Sequence, residues 1–249
     1  MNDKKVYDYD DVRVFIDDKY VSYEQEVIDP DLSFTFGSLS SKLPLIVYYE
    51  DPDSISNMEE VCRKHGIITA GAPGSRIPLA LKGDSLGCEL YERFDPLRAV
   101  SVSEMRDLSK DGVKLLVGCS LSARHAIALT NELQLATAVL VGPTQVETTK
   151  RIESIGLTVP RVSLIEQISR ATDVPLVATA SSSVDVCKAF VAGADAALIH
   201  FGGPFEQGDD LDFLVKTVTD AMRDNLVELC RSSGAKTVRD LAIRCKLIP

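Results

Sequence analysis

The chain has 249 residues, of which 45% are hydrophobic and 26% charged, with a formal net charge of −10. That supplies apolar material for a full core, and with this acidic balance and no clustered basic face in the sequence a nucleic-acid partner is not expected. No apolar run approaches the roughly 20 residues of a membrane helix, and the acidic start MNDKKVYDYDDVRVF lacks the apolar core of a secretory signal, so a cytoplasmic protein with no membrane partner is expected.

Residues 1–43 read as an N-terminal extension, in which VRVFIDDKYVSY has the pattern of a strand or hairpin capping the bottom of the domain formed by residues 44–249. From residue 44 onward, short runs of Val, Ile and Leu alternate with stretches of helical spacing. That alternation predicts parallel strands joined by crossover helices. The predicted strands are Leu45–Tyr49, Ile67–Gly71, Pro78–Lys82, Ala99–Val102, Val113–Gly118, Thr137–Gly142, Pro175–Thr179 and Ala196–His200. Short and almost purely apolar, they suit a parallel sheet covered by helices. Eight of them predict an α/β fold, a single (β/α)8 TIM-type barrel spanning residues 44–249.

Helix starts carry capping chemistry. Ser56 with Glu59, Ser163 with Glu166 and Ser182 with Asp185 fit the capping-box spacing. Gly66 and Gly193 stand where helices should end in a left-handed cap. Between Ala80 and Leu97 the pattern is irregular, so one outer helix is expected to be short or missing. From Asp210 a long helix is followed by a short one, with Gly234 and Thr237 at the junction.

In such a barrel, function gathers at the C-terminal strand ends. Those ends nominate Glu50 and Asp51, Ser75 and Arg76, Lys82 and Asp84, Ser101 and Ser103, Cys119 and Ser120, Pro143 to Gln145, Ser181 to Ser183, and His200 with Gly202 and Gly203. Ser181, Ser182 and Ser183 open a helix, where amides and the helix dipole favour an anion; the plainer reading makes Ser182 a cap. Gly202 and Gly203 follow the last strand, as half of a phosphate site or as an ordinary turn. Lys114 either reaches an anion inside the barrel or lies beside an outer helix. Cys119 ends a strand before a helix, with no His or Asp at telling spacing. Glu50, Asp51 and Asp53 read more simply as a helix cap than as metal ligands. The six cysteines show no CxxC or other metal spacing; Cys62, Cys187 and Cys230 fall in helical patterns as small buried hydrophobes.

Several segments together resemble one family. VCKAFVAGADAALIHFGGPF (186–205), SIGLTVPRVSLIEQISRATDVPLVA (154–178), DNLVELCRSSGAKTVRDLA (224–242) and VKLLVG (113–118) are similar to segments of FMN-dependent barrel oxidoreductases. The members they resemble include the glutamate synthase flavin domain and type 2 isopentenyl-diphosphate isomerase. The resemblance covers residues 113–241 well. It implies a flavin-dependent oxidoreductase binding FMN, with Lys114 near the flavin and Ser181, Ser182, Ser183, Gly202 and Gly203 around its phosphate. The family's Gly-Gly-x-Arg turn is here Thr179 to Ser183, with neither Gly nor Arg. Tyr48, Tyr49 and Glu50 stand where the family keeps small residues and Met. Two readings are open: an FMN-binding oxidoreductase, or a repurposed barrel without flavin that binds a small anionic ligand or a protein partner. Self-association is compatible with both.

Overall fold

The computed structural model describes residues 6–20, 29–36, 39–49, 55–71, 116–119, 123–127, 130–131, 138–141, 160–201 and 210–249. The chain is α/β. Its elements are β1 (Arg13–Ile16), β2 (Phe34–Phe36), β3 (Leu39–Ser41), β4 (Leu45–Tyr49), α1 (Ile55–His65), β5 (Ile68–Gly71), β6 (Leu116–Cys119), α2 (Ala123–Ile127), β7 (Ala138–Val141), α3 (Arg161–Ser169), β8 (Leu176–Ala180), α4 (Ser183–Ala192), β9 (Ala196–Phe201), α5 (Leu211–Ser233), α6 (Leu241–Arg244) and β10 (Cys245–Ile248).

Six strands form one parallel sheet in the order β5-β4-β9-β8-β7-β6. The first strand of the alternating pattern, β4, pairs with the last, β9, from Leu45–Ala197 to Tyr49–Phe201. The steps β4 to β5 and β6 to β7 to β8 to β9 all run in the same direction across the sheet. Right-handed crossovers that never reverse direction leave their helices on one face. The burial agrees. Leu45, Val47, Val139, Val141, Leu176, Ala178 and Ile199 point into a core shared with helix residues such as Met58, Ile165, Phe190 and Leu226. The alternate positions Ile46, Ile68, Leu140, Val177 and Leu198 form a second core, joined by Phe34, to which no helix contributes among the described residues. The period of two along each strand assigns these two faces.

The hairpin β2–β3 supplies Phe34 to this inner core and lies at the N-terminal ends of the strands, where Lys42 N–H donates to the Gly66 carbonyl at 2.8 Å. The strand expected in VRVFIDDKYVSY is β1, and its partner is β10 at the other end of the sequence. That ribbon lies against α4, on the outer core. Phe34 of this hairpin thus stands in the inner core and no residue of 12–20 does, while residues 21–23 lie outside the described residues.

Two of the three expected caps are corrected. α1 already includes Ser56, and α3 begins at Arg161 after Pro160, with no side-chain cap. Ser163 sits inside α3, and its hydroxyl accepts from Tyr7 N–H at 2.7 Å. Ser182 is the true N-cap of α4. Gly193 ends that helix at φ +110°, and a Cβ there would meet Ser169 Oγ at 2.7 Å. Backbone conformation and close packing both demand glycine. The long C-terminal helix runs as expected and stops at Gly234. The expected short helix over TVRDLAIRC is a 3-10 turn, Val238–Asp240, continued by the four-residue α6, and strand β10 takes over at Cys245. The expected strands Pro78–Lys82 and Ala99–Val102, and the irregular stretch between Ala80 and Leu97, lie outside the described residues.

Candidate functional site

The turn between β8 and α4 is short: β8 ends at Ala180 and α4 starts at Ser183. Ser182 is extended (φ −144°, ψ 164°), and its Oγ accepts from Asp185 N–H at 3.1 Å. The Asp185 carboxylate reaches back one residue further than a capping box needs and accepts from Ser181 N–H at 3.2 Å. A carboxylate therefore occupies the position at this helix N-terminus that an anionic ligand would be drawn to. Ser181 and Ser182 are exposed, and Ser183 is half-buried at the first helical position.

The same end of β8 is fastened from outside by residues that belong to none of the strand-end candidates. Tyr9, 1% exposed, donates its hydroxyl to the Thr179 carbonyl at 3.1 Å. Lys188 Nζ, on α4, donates to the Tyr9 carbonyl at 2.7 Å. Arg161, at the start of α3, lies 4.6 Å from the Tyr9 ring centroid, and its Nε donates to Asp8 Oδ1 at 2.9 Å. Burial pushes the Tyr9 phenol well above its ordinary pKa, with Arg161 opposing in part. Tyr9 is therefore a neutral donor, fixed in place rather than poised to titrate. Its one legible signal was Asp8-x-x-Asp11, whose spacing marks the capped turn that carries Tyr9.

Thr179 is buried on the inner face, and its Oγ1 donates to the Val141 carbonyl at 3.4 Å. Tyr48 packs on the inner core near the C-terminal end of β4. Its register partner on β9 is His200. Cys119 ends β6.

Ser181, Ser182 and Ser183 are thus brought to one turn beside β9, whose Ile199 pairs with Ala180. Lys114, Gly202 and Gly203 lie outside the described residues, as do Glu50, Asp51, Asp53, Ser75, Arg76, Lys82, Asp84, Ser101, Ser103, Ser120 and Pro143 to Gln145. Among the described residues no cluster of three His, Cys, Asp or Glu side chains has the arrangement of a metal site. Also among them, no helix is long and apolar enough to cross a membrane. Cys62 and Cys230 are fully buried, and burial pushes their thiols up to about 12; Cys187 is half-buried and pushed up to about 11. Such thiols are packing groups, not nucleophiles. No protein-family model matches the sequence, and no curated protein does.

Proposed function

We propose that the chain is a (β/α)8 barrel built on the frame of the FMN-dependent oxidoreductases and repurposed to work without flavin. Two features support the barrel. Among the described residues the chain steps across the sheet run one way, and the inner face, to which no described helix contributes, is nevertheless buried, with Ile46 and Val177 at 0% exposure. Closure of a parallel sheet into a barrel buries an inner face in this way. Closure needs two more strands between β5 and β6, and the sequence offers Pro78–Lys82 and Ala99–Val102 for them.

The observation that carries the flavin-free reading is the Asp185 carboxylate on the Ser181 amide. A phosphate charge about 4 Å from that carboxylate meets a repulsion of roughly 4 kcal/mol at an effective dielectric of about 20. One charge-assisted hydrogen bond returns only about 1.5–3 kcal/mol. Repulsion wins unless the cup offers several strong donors, and this turn carries no Arg. Tyr48 works in the same sense, because its ring takes inner volume near the end of β4. The site suits a neutral or cationic group better than a phosphate.

The second reading, an FMN-binding oxidoreductase, rests on the resemblance of residues 113–241 and on the adjacency of the β8 and β9 ends. There the flavin would carry the redox chemistry and the protein would orient it. Titration of the purified chain with FMN, followed by flavin absorbance, separates the two. No saturable spectral change is expected up to about 100-fold above the micromolar range in which such ligands work. A yellow protein, or saturable binding, overturns the flavin-free reading. In Asp185→Asn, which keeps a cap acceptor without the charge, any FMN affinity is expected to rise.

A further inference from the structure

Among the described residues β10 has one strand partner, β1, and the register fixes which backbone groups that partner uses. Asp17 N–H donates to the Arg244 carbonyl at 3.0 Å, and the register continues through Ile16–Cys245, Phe15–Lys246, Val14–Leu247 and Arg13–Ile248. Antiparallel pairs alternate between bonded and non-bonded. Counting from Asp17–Arg244, the bonded pairs are Phe15–Lys246 and Arg13–Ile248. Leu247 therefore turns both its N–H and its C=O away from β1. Cys245 turns its C=O the same way, while its N–H returns to the Leu241 carbonyl. Among the described residues nothing pairs with the Leu247 backbone.

A groove of about 570 Å³ runs along this edge. Phe190 and Ala194 lie at its base, Arg170 and Arg239 stand on its rim, and β1 contributes no residue to it. Its lining carries as many acids as bases, Glu166, Asp173 and Asp195 against Arg170, Arg239 and Lys246, but in each ion pair the cation is the more exposed member. The side chains of Arg170, Arg239 and Lys246 are 75%, 73% and 63% exposed, whereas their partners Glu166, Asp195 and Asp17 are 38%, 15% and 14% exposed. Asp173 is the exposed acid of the rim. In a chain of net charge −10, the cationic heads of these pairs are thus accessible beside a strand edge that no other described strand covers.

We propose that this groove takes an extended acidic segment of a partner protein, which adds antiparallel to β10 as a third strand of the ribbon. Three backbone bonds are available to it, from Leu247 N–H, Leu247 C=O and Cys245 C=O. Side chains alternate along β10: Cys245 is buried and Leu247 half-buried, while Lys246 and Ile248 face outward. An added strand follows the same alternation. Its residue opposite Leu247 points to the base and is apolar. The residues opposite Lys246 and Ile248 point outward beside the three cations and are acidic. A second copy of this chain fits less well, because pairing β10 with itself about Leu247 would bring two sets of the same three cations together.

The test uses a labelled hexapeptide, Glu-Val-Glu-Val-Glu-Val, titrated with the full chain and followed by fluorescence anisotropy. Saturable binding is expected, weakening with salt. N-methylation of the central valine is expected to weaken it roughly tenfold, since a buried bond and its neighbour are lost together. The Lys-Val analogue is expected to bind at least about tenfold more weakly. Arg170→Glu, at a 75% exposed side chain, should weaken binding several-fold while the chain stays folded. Equal binding of the Glu and Lys peptides, indifference to N-methylation, no binding at all, or a chain that sediments as a dimer and excludes the peptide would each overturn the proposal.

Discussion

At the C-terminal end of β8, the Ser181 amide is held by the Asp185 carboxylate at 3.2 Å; at the N-terminal end, the Leu176 amide is held by the Asp195 carboxylate at 2.9 Å. The device is the same, and the surroundings differ. Around the first end, Tyr9, Lys188 and Arg161 lock the strand carbonyl and the helix starts together. Around the second, Asp195 also takes Arg239 Nε at 2.6 Å, and the groove beside β10 remains open. Parallel α/β sheets are conventionally read from their C-terminal strand ends. At β8, and among the described residues, that end is occupied by the chain's own charges, and the unpaired backbone lies at the other end. Which groups are left without partners decides where a ligand fits, more than strand polarity does.

The largest effect that sharpens this contrast is at Tyr9. Tyr9→Ala removes a fully buried ring that joins α3, α4 and β8, and is expected to cost about 3–5 kcal/mol in urea unfolding. Arg170→Ala at the groove should stay within about 0.5 kcal/mol. Similar losses at both sites would erase the contrast.

An intermediate effect comes from the helices behind both ends. The folded state holds Cys62 and Cys230 neutral, with thiol pKa values raised from 9.0 to about 12. Their contribution is complete below pH 9, where both states keep the proton. It is lost as pH rises from 9 towards 12, because only the unfolded chain then gains by ionising. Each thiol should lower stability by about 1.4 kcal/mol per pH unit across that window. Unfolding measured from pH 8 to pH 11 checks this, and Cys230→Ala should flatten the slope. The depressed carboxyls of Asp17, Asp212 and Asp220, held down chiefly by hydrogen bonds from Lys246, Lys64 and Lys216, act at the other limit. Their contribution is present above the ordinary carboxyl range and fades as pH falls below it.

The smallest effect is at the cap. Ser182→Ala leaves Asp185 N–H without its acceptor and should cost about 1 kcal/mol. A change within error would mean that the cap does little to set this turn.

Much of the sheet was legible because short Val-rich runs bounded by helical spacing have few other solutions. Leu45–Tyr49 is matched residue for residue, and β8 is offset by one. What escaped was long-range. β10 is only CKLI, four residues long, and its alternation cannot be told from the end of a helix until Arg13–Ile16 is placed beside it. Ser163 has the spacing of a cap, but its partner Tyr7 is 156 residues away. Of the expected site, Ser182 and Asp185 were legible as a local pair. The cost that pair imposes on a phosphate became visible only when the carboxylate was found on Ser181.

The most direct measurement is amide hydrogen exchange at Ser181 and Leu247, resolved by NMR. The Ser181 amide, bonded to Asp185, is expected to exchange at least about tenfold more slowly than its random-coil rate, and Asp185→Ala should release it. The Leu247 amide should exchange close to that rate in both proteins. A fast Ser181 together with a protected Leu247 would contradict the account.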